Sequence, residues 1–447
     1  MVVRKISYYR VIVSLCLFMF LLSPVFGDEI SAVSFDKELP ENNIVTIQPD
    51  SLRILHNPLT GWVLYASMGV DAADFWAQYD HMYIPELGHN VSVTDYAHTL
   101  YIRASWTDFN PQEDVYGWKI DSNLRAYIEG AYQRNMRLAF RVVVDSRDKR
   151  TEFTPQFVKD AGAKGFMNKG KWSPYSDDSV FQKYYTKFVK ALAKDFNDPS
   201  KVEFIDGFGL GKWGEYHTMI YSTGDDTPKK AVFDWVTDIY SQAFDKVPVV
   251  INYHRWIGAG KDWVDDEHFA VDSEEMLEEA IKKGYSLRHD AFGMTTYYGS
   301  WERRFAKKYR NICPIIMEGG WIVKSHSYWQ DPRGYRKDSH EDVRRGEFDD
   351  SKEAHVNMMD FRFGDTESWF KDAFDLVRRF LREGGYRLYP SEISLPLEVS
   401  KKTTPTIKHC WNNLGWGYCP TNIPQWNQKY KVAFALLDSE TNEVRYT

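Results

Sequence analysis

The chain has 447 residues, with 56 Lys and Arg against 63 Asp and Glu, a formal net charge of −7. That balance offers no basic face for a nucleic acid and no polybasic patch for an anionic membrane, and the length suffices for one large domain with a smaller one beside it. Aromatic residues make up 16 %, including 16 Trp and 28 Tyr; rings with polar tips pack cores, and they also suit the apolar C–H faces and hydroxyl rims of sugars.

Arg4, Lys5 and Arg10 form a basic start, residues 11–22 are almost wholly apolar, and Val25-Phe26-Gly27 precedes Asp28. This is the three-part pattern of a secretory signal peptide over residues 1–27, too short and wrongly flanked for a stable span. Export to the periplasm or the extracellular space is therefore expected, a retained signal anchor being the alternative. No later run approaches the roughly 20 apolar residues of a spanning helix, so no membrane span is expected in the mature chain.

From Gly61 onward, short apolar runs alternate with longer amphipathic stretches. The runs are residues 62–66, 99–104, 138–144, 202–210, 247–253, 287–294 and 312–317, with an eighth near 355–362. Helical spacing marks residues 122–134, 178–196, 231–244 and 369–383, the last ending at Gly384-Gly385. Repeated βα units build either a doubly wound sheet or a barrel. A nucleotide-binding sheet would carry a Gly-rich turn after its first strand, and none follows residues 62–66. The expectation is an α/β fold, a (β/α)8 TIM barrel occupying residues 28–385 together with an N-terminal extension. The polar stretch 322–348 reads as one long loop.

Residues 386–447 lose the helical pattern and read as a small C-terminal β-rich, sandwich-like region. Strands are expected at 386–397 and 430–437, with a Trp-, Asn- and Pro-rich segment between, and pairing with residues 43–47 would complete a sheet too small to stand alone. In an oxidising compartment Cys410 and Cys419 are expected to bridge, leaving Cys313 buried in its strand. Two thiols with only His409 beside them make a poor zinc set, and no metal or cofactor is expected.

Catalytic groups in such barrels sit at the C-terminal ends of the strands. Those ends supply Arg103 and Trp106 from the second strand, Asp145 from the third, and Trp213, Glu215 and His217 from the fourth. The fifth gives Asn252 and His254, the sixth Tyr297 and Tyr298, and the seventh Glu318 and Trp321. Glu215 and Glu318 stand out, each bracketed by Gly and Trp after an apolar run, where an unpartnered charge is costly to bury. About three βα units separate them, which places them across the barrel mouth. A proton donor and a nucleophile or base are what cleavage of a glycosidic bond needs, and two carboxyls supply both. Arg103 is placed to hold Glu318 ionised and Tyr297 or Tyr298 to hydrogen-bond it; Trp213 and Trp321 are candidate sugar platforms, and His217 and His254 candidate contacts to hydroxyls.

Tyr101-Ile102-Arg103-Ala104-Ser105-Trp106, Asn110-Pro111-Gln112-Glu113 and Tyr116-Gly117-Trp118, followed by Glu215 and Glu318, resemble the pattern of clan A glycoside hydrolases. The chain looks most similar to their β-galactosidase-like members and to related exported bacterial barrel proteins, over roughly residues 61–385. The resemblance implies a retaining hydrolase of a β-linked oligo- or polysaccharide, with Glu215 as acid/base and Glu318 as nucleophile. The clan's usual Asn before the acid/base, which binds the sugar 2-hydroxyl, is here Gly214, so Trp213, His217 or Asn252 would take over that contact. A non-catalytic glycan-binding barrel and a barrel lyase or transferase are the rival readings.

Overall fold

The computed structural model describes residues 13–14 and 42–447, apart from 148–150, 261–266, 295–296, 321–339, 398–403 and 428–430. The signal-peptide reading, apart from residues 13–14, and Trp321 fall outside these residues.

Eight parallel strands close into a barrel. They are β1 (Gly61–Tyr65), β2 (Ala97–Ser105), β3 (Arg137–Val143), β4 (Val202–Asp206), β5 (Val249–Asn252), β6 (Ser286–Phe292), β7 (Ile315–Gly319) and β8 (Met358–Asp360). Each pairs with its chain neighbours, and β8 closes on β1 through Met358 opposite Gly61. The expected (β/α)8 architecture is present, the eighth strand included. Helices cover the outside, and the caps that start them are legible locally. Asp121 accepts from the Leu124 N–H to begin Ser122–Gln133, and Asp178 accepts from Val180 and Phe181 to begin Ser179–Phe196.

Two apolar layers hold the barrel. Between strands and helices, Trp62 stacks on Phe361 with ring centroids 4.3 Å apart and donates its indole N–H to Val377 O at 3.0 Å. Inside, Val63, Tyr101, Ala139, Phe204, Val250, Ile316 and Met358 form a second cluster that Leu59, Ile423 and Trp426 complete. Ile423 and Trp426 come from the Trp-rich C-terminal segment and plug the N-terminal end of the barrel. Asn422 donates to Ile312 O at 3.0 Å just before β7, and Pro424 lies so close to Gly284, just before β6, that a Cβ there would sit 2.6 Å from its ring.

The C-terminal strands β9 (Leu388–Pro396) and β10 (Lys408–Asn413) pair antiparallel, and β9 also pairs with the strand Asn42–Thr46, the expected N-terminal partner. Four expectations are corrected. The fourth strand ends at Asp206 rather than residue 210, because Gly207 to Gly214 turn across the mouth. The stretch assigned to a loop contains a helix, His340–Glu353, in its described part. The last helix is two, Thr366–Asp372 and Phe374–Glu383, broken at Ala373 where φ is −146°. The described cysteines are free thiols: Cys410 is exposed on β10, and burial pushes Cys419 and Cys313 up to about 12.

Candidate active site

At the C-terminal mouth of the barrel lies a cleft of about 890 Å³. Arg103, Trp213, Glu215, His217, Asn252, His254, Tyr297 and Glu318 all line it, so eight of the residues read from strand ends converge there. Trp321 is outside the described residues. Three others are placed elsewhere. Trp106 is fully buried in the helix layer, against Phe157, Phe181, Tyr185 and Phe188. Asp145 is tied to Arg147 at 2.6 Å and to the Ser173 hydroxyl, off the cleft wall. Tyr298 faces the helices too, stacked on Phe292 at 4.2 Å and accepting from the Tyr253 hydroxyl. All three lie beyond the last residue of their strands, Ser105, Val143 and Phe292, so the helix or turn that follows sets their direction, which composition does not disclose.

Glu215 is carried by a turn of unusual backbone. Trp213, Tyr216 and Thr218 have φ of 58°, 60° and 52°, and Gly209 and Gly214 have 67° and 75°. At Gly209 glycine is obligatory, since a Cβ would lie 1.9 Å from Val142 O. Non-glycine residues with positive φ are costly and persist where their surroundings over-determine them. Here two clamps do so: Arg103 donates to Trp213 O at 2.6 Å, and His254 donates through Nε2 to Glu215 O at 2.6 Å. His254 Nδ1 accepts from the Trp256 N–H at 3.1 Å, so its tautomer is fixed, and burial lowers its basicity well below the ordinary range. His254 therefore grips the backbone of the turn, a use the sequence reading did not include.

Glu215 Oε1 lies 3.6 Å from Arg103 and 3.5 Å from Arg141, and Oε2 lies 3.4 Å from His217. Glu318, 5 % exposed, is hydrogen-bonded by the Nη2 of Arg288. The expected pairing is thus corrected: Arg103 makes its close contact with Glu215, and the cation on Glu318 comes from β6. The expected lowering of Glu318 is corrected as well. Burial pushes its carboxyl up to about 8, with Arg288 opposing and the charges of Asp290 and Asp360 adding to the rise.

Below the two glutamates the barrel interior is polar. Arg141 of β3 reaches Asp206 at 2.5 Å and Asp290 at 3.0 Å; Arg288 approaches Asp206, Asp290 and Asp360 at 3.3 to 3.4 Å. The Tyr101 hydroxyl donates to Asp206 at 2.9 Å and Asn252 to Asp290 at 3.0 Å. Burial opposes ionisation of Asp290, but Arg141 and Arg288 outweigh it and hold the carboxyl below the usual range. Arg141, Asp206, Arg288, Asp290 and Asp360 were not singled out from sequence. The signal was there: each is a charge inside a parallel strand of the barrel, a position that demands an internal partner.

Aromatic groups flank this polar floor. Trp213, Trp256 and Phe363 line the cleft, and Phe363 is 55 % exposed.

No protein-family model and no curated protein sequence matches the chain. Among solved structures it is similar to xylanase B from Clostridium stercorarium F9, at 13 % identity and a TM-score of 0.38 over 67 % of this chain and 85 % of that one. It is also similar to endo-glycoceramidase II from Rhodococcus sp., at 13 % identity and 0.41 over 78 % and 82 %. A Pseudomonas stutzeri endoglucanase gives 8 % and 0.40 over 72 % and 94 %. Likeness at this level leaves the reaction to be read from the side chains.

Proposed function

We propose that the protein is a retaining glycoside hydrolase that cleaves a β-linked oligo- or polysaccharide by double displacement, with Glu215 as acid/base and Glu318 as nucleophile. The observation that carries this reading is that the two glutamates, one from the turn after β4 and one from β7, open into one aromatic-lined cleft at the mouth of the barrel. One carboxyl protonates the leaving oxygen while the other attacks the anomeric carbon, and the first then deprotonates the water that releases the sugar. Trp213, Trp256 and Phe363 offer flat apolar faces to pyranose rings, and Asn252 and Tyr297 offer polar groups to hydroxyls. The resemblance to clan A at Arg103, Glu215 and Glu318 assigns the two roles in this order.

A panel of aryl β-glycosides tests the proposal. The wild type should turn over at least one, with the β-anomer as first product by NMR. Glu318→Ala should abolish turnover of every substrate. Glu215→Ala should retain glycosylation by activated aryl leaving groups, release the enzyme slowly, and regain rate with azide as the β-glycosyl azide. A first product of α configuration would replace retention by inversion. Wild-type rates in both variants would remove the glutamates from the mechanism.

A further inference from the structure

The buried network holds more carboxyls than cations. Arg103, Arg141 and Arg288 face Glu215, Asp206, Asp290, Glu318 and Asp360. A low-dielectric interior does not hold a net surplus of negative charge cheaply, and the usual relief is retention of a proton. The geometry shows where. Glu318 and Asp360 are register partners on the adjacent strands β7 and β8. A single nitrogen, Arg288 Nη2, donates to both Glu318 Oε2 and Asp360 Oδ2, the latter at 3.3 Å. Asp206 and Asp290 are better supplied with cations, because Arg141 serves both of them and Arg288 Nε faces both, whereas Asp360 has besides Arg288 the neutral Arg362 N–H on Oδ1 at 2.7 Å.

We infer that Glu318 and Asp360 form a carboxyl dyad that shares one proton on the Arg288 guanidinium, and that Asp360 thereby acts as a positioning residue setting the charge state of Glu318. This deepens the proposed function and rests on it only for its catalytic consequence. Asp360 does not line the cleft, so it acts through Glu318 and touches no substrate. The groups facing Glu318 come from every side: Arg288 and Asp290 on β6, Asp360 on β8, Arg141 on β3, Arg103 on β2 and Tyr65 on β1. Glu347, paired with Arg344, lies behind Gly319. Two carboxyls on one donor cannot both ionise as easily as either alone, and they lose their protons in two separated steps that belong to the pair. The directions agree, since burial raises both Glu318 and Asp360 above the ordinary carboxylate range. When Glu318 attacks, the proton the pair retains resides on Asp360, and the charge it carries is the one Arg288 faces.

The test is a carboxyl titration of the full-length protein labelled with 13C in Glu and Asp side chains. In the wild type, one carboxyl of the pair should titrate near or above neutrality. In Asp360→Asn, the Glu318 signal, identified by its loss in Glu318→Gln, should fall by about one to two pH units. In Glu318→Gln the Asp360 signal should fall likewise, which gives a second route if the first variant does not fold. The acid limb of kcat/KM should move down with Glu318 in Asp360→Asn, whereas a merely structural role would lower stability and leave the limb in place. A Glu318 titration unmoved by Asp360→Asn, or a wild-type pair that titrates wholly near pH 4, overturns the dyad even in an active hydrolase. A shifted titration in a protein that cleaves no glycoside upholds the dyad and overturns the hydrolase.

Discussion

Glu318 sits where folding and chemistry pull apart. Its carboxyl titrates near 4.5 in an unfolded chain and is raised to about 8 by burial, with Asp290 and Asp360 adding to the rise. The folded state therefore binds the proton more tightly than the unfolded one. The stability this gives is full below pH 4.5 and is lost as pH rises toward and through about 8. Glu318→Gln keeps the shape and the neutral charge of the protonated form, so it should escape that loss. Its Tm should exceed the wild-type value, by a small margin near pH 5 and a larger one near pH 8.5, in thermal melts across that range. A Tm difference that is constant or shrinks with pH would mean that the carboxyl is not carried neutral in the folded protein. Such a gain in stability at the expense of activity is what a strained functional group predicts.

At the scale of elements, the turn from Gly207 to Thr218 shows what a sequence does and does not disclose. Its glycines and the Trp-Gly-Glu order marked it as special, and Glu215 was legible because a carboxylate after an apolar strand and a glycine turn has few bland uses. The eight strands were legible as well, since parallel strands buried on both faces read as continuous apolar runs. What stayed hidden was direction. The places of Trp106, Asp145 and Tyr298 in the chain point to the cleft, yet none of the three lines it. The partner of Glu318 was hidden for a different reason: Arg288 lies 30 residues away in β6, and only barrel closure brings the two together. His254 was read as a sugar contact, whereas both of its ring nitrogens are engaged by backbone. His254→Ala takes from the Glu215 carbonyl the buried donor that His254 supplies, at a cost of about 1–3 kcal/mol in the closed site. On the proposed assignment, the released turn should lower kcat more for poor leaving groups than for activated aryl ones, because it is the proton donor that is displaced. Equal losses on both substrate types would mean that His254 serves the barrel rather than the turn.

Across the whole molecule, the barrel interior is divided along its axis. The C-terminal half holds the charged network and the cleft; the N-terminal half holds an apolar cluster sealed by Ile423 and Trp426. The division explains why the C-terminal segment crosses the bottom of the barrel after leaving β10. Without a plug, water would reach the underside of Asp206, Arg141 and Arg288, and the low dielectric that raises Glu318 would be lost. Trp426 is 5 % exposed and belongs to an apolar cluster with residues of several strands, so the rigid barrel fills little of the space it leaves. Trp426→Ala should therefore cost about 3–5 kcal/mol, the range for removing a large buried aromatic side chain. In urea the midpoint should fall with little change in slope, since the surface exposed on unfolding is almost the same. The same variant should lower the titration of Glu318 without touching any residue of the cleft, because hydration from below relieves the burial that holds the proton. A stability loss with an unchanged Glu318 titration would show that the plug and the network are energetically separate layers, and that the charge state of the cleft is set from above.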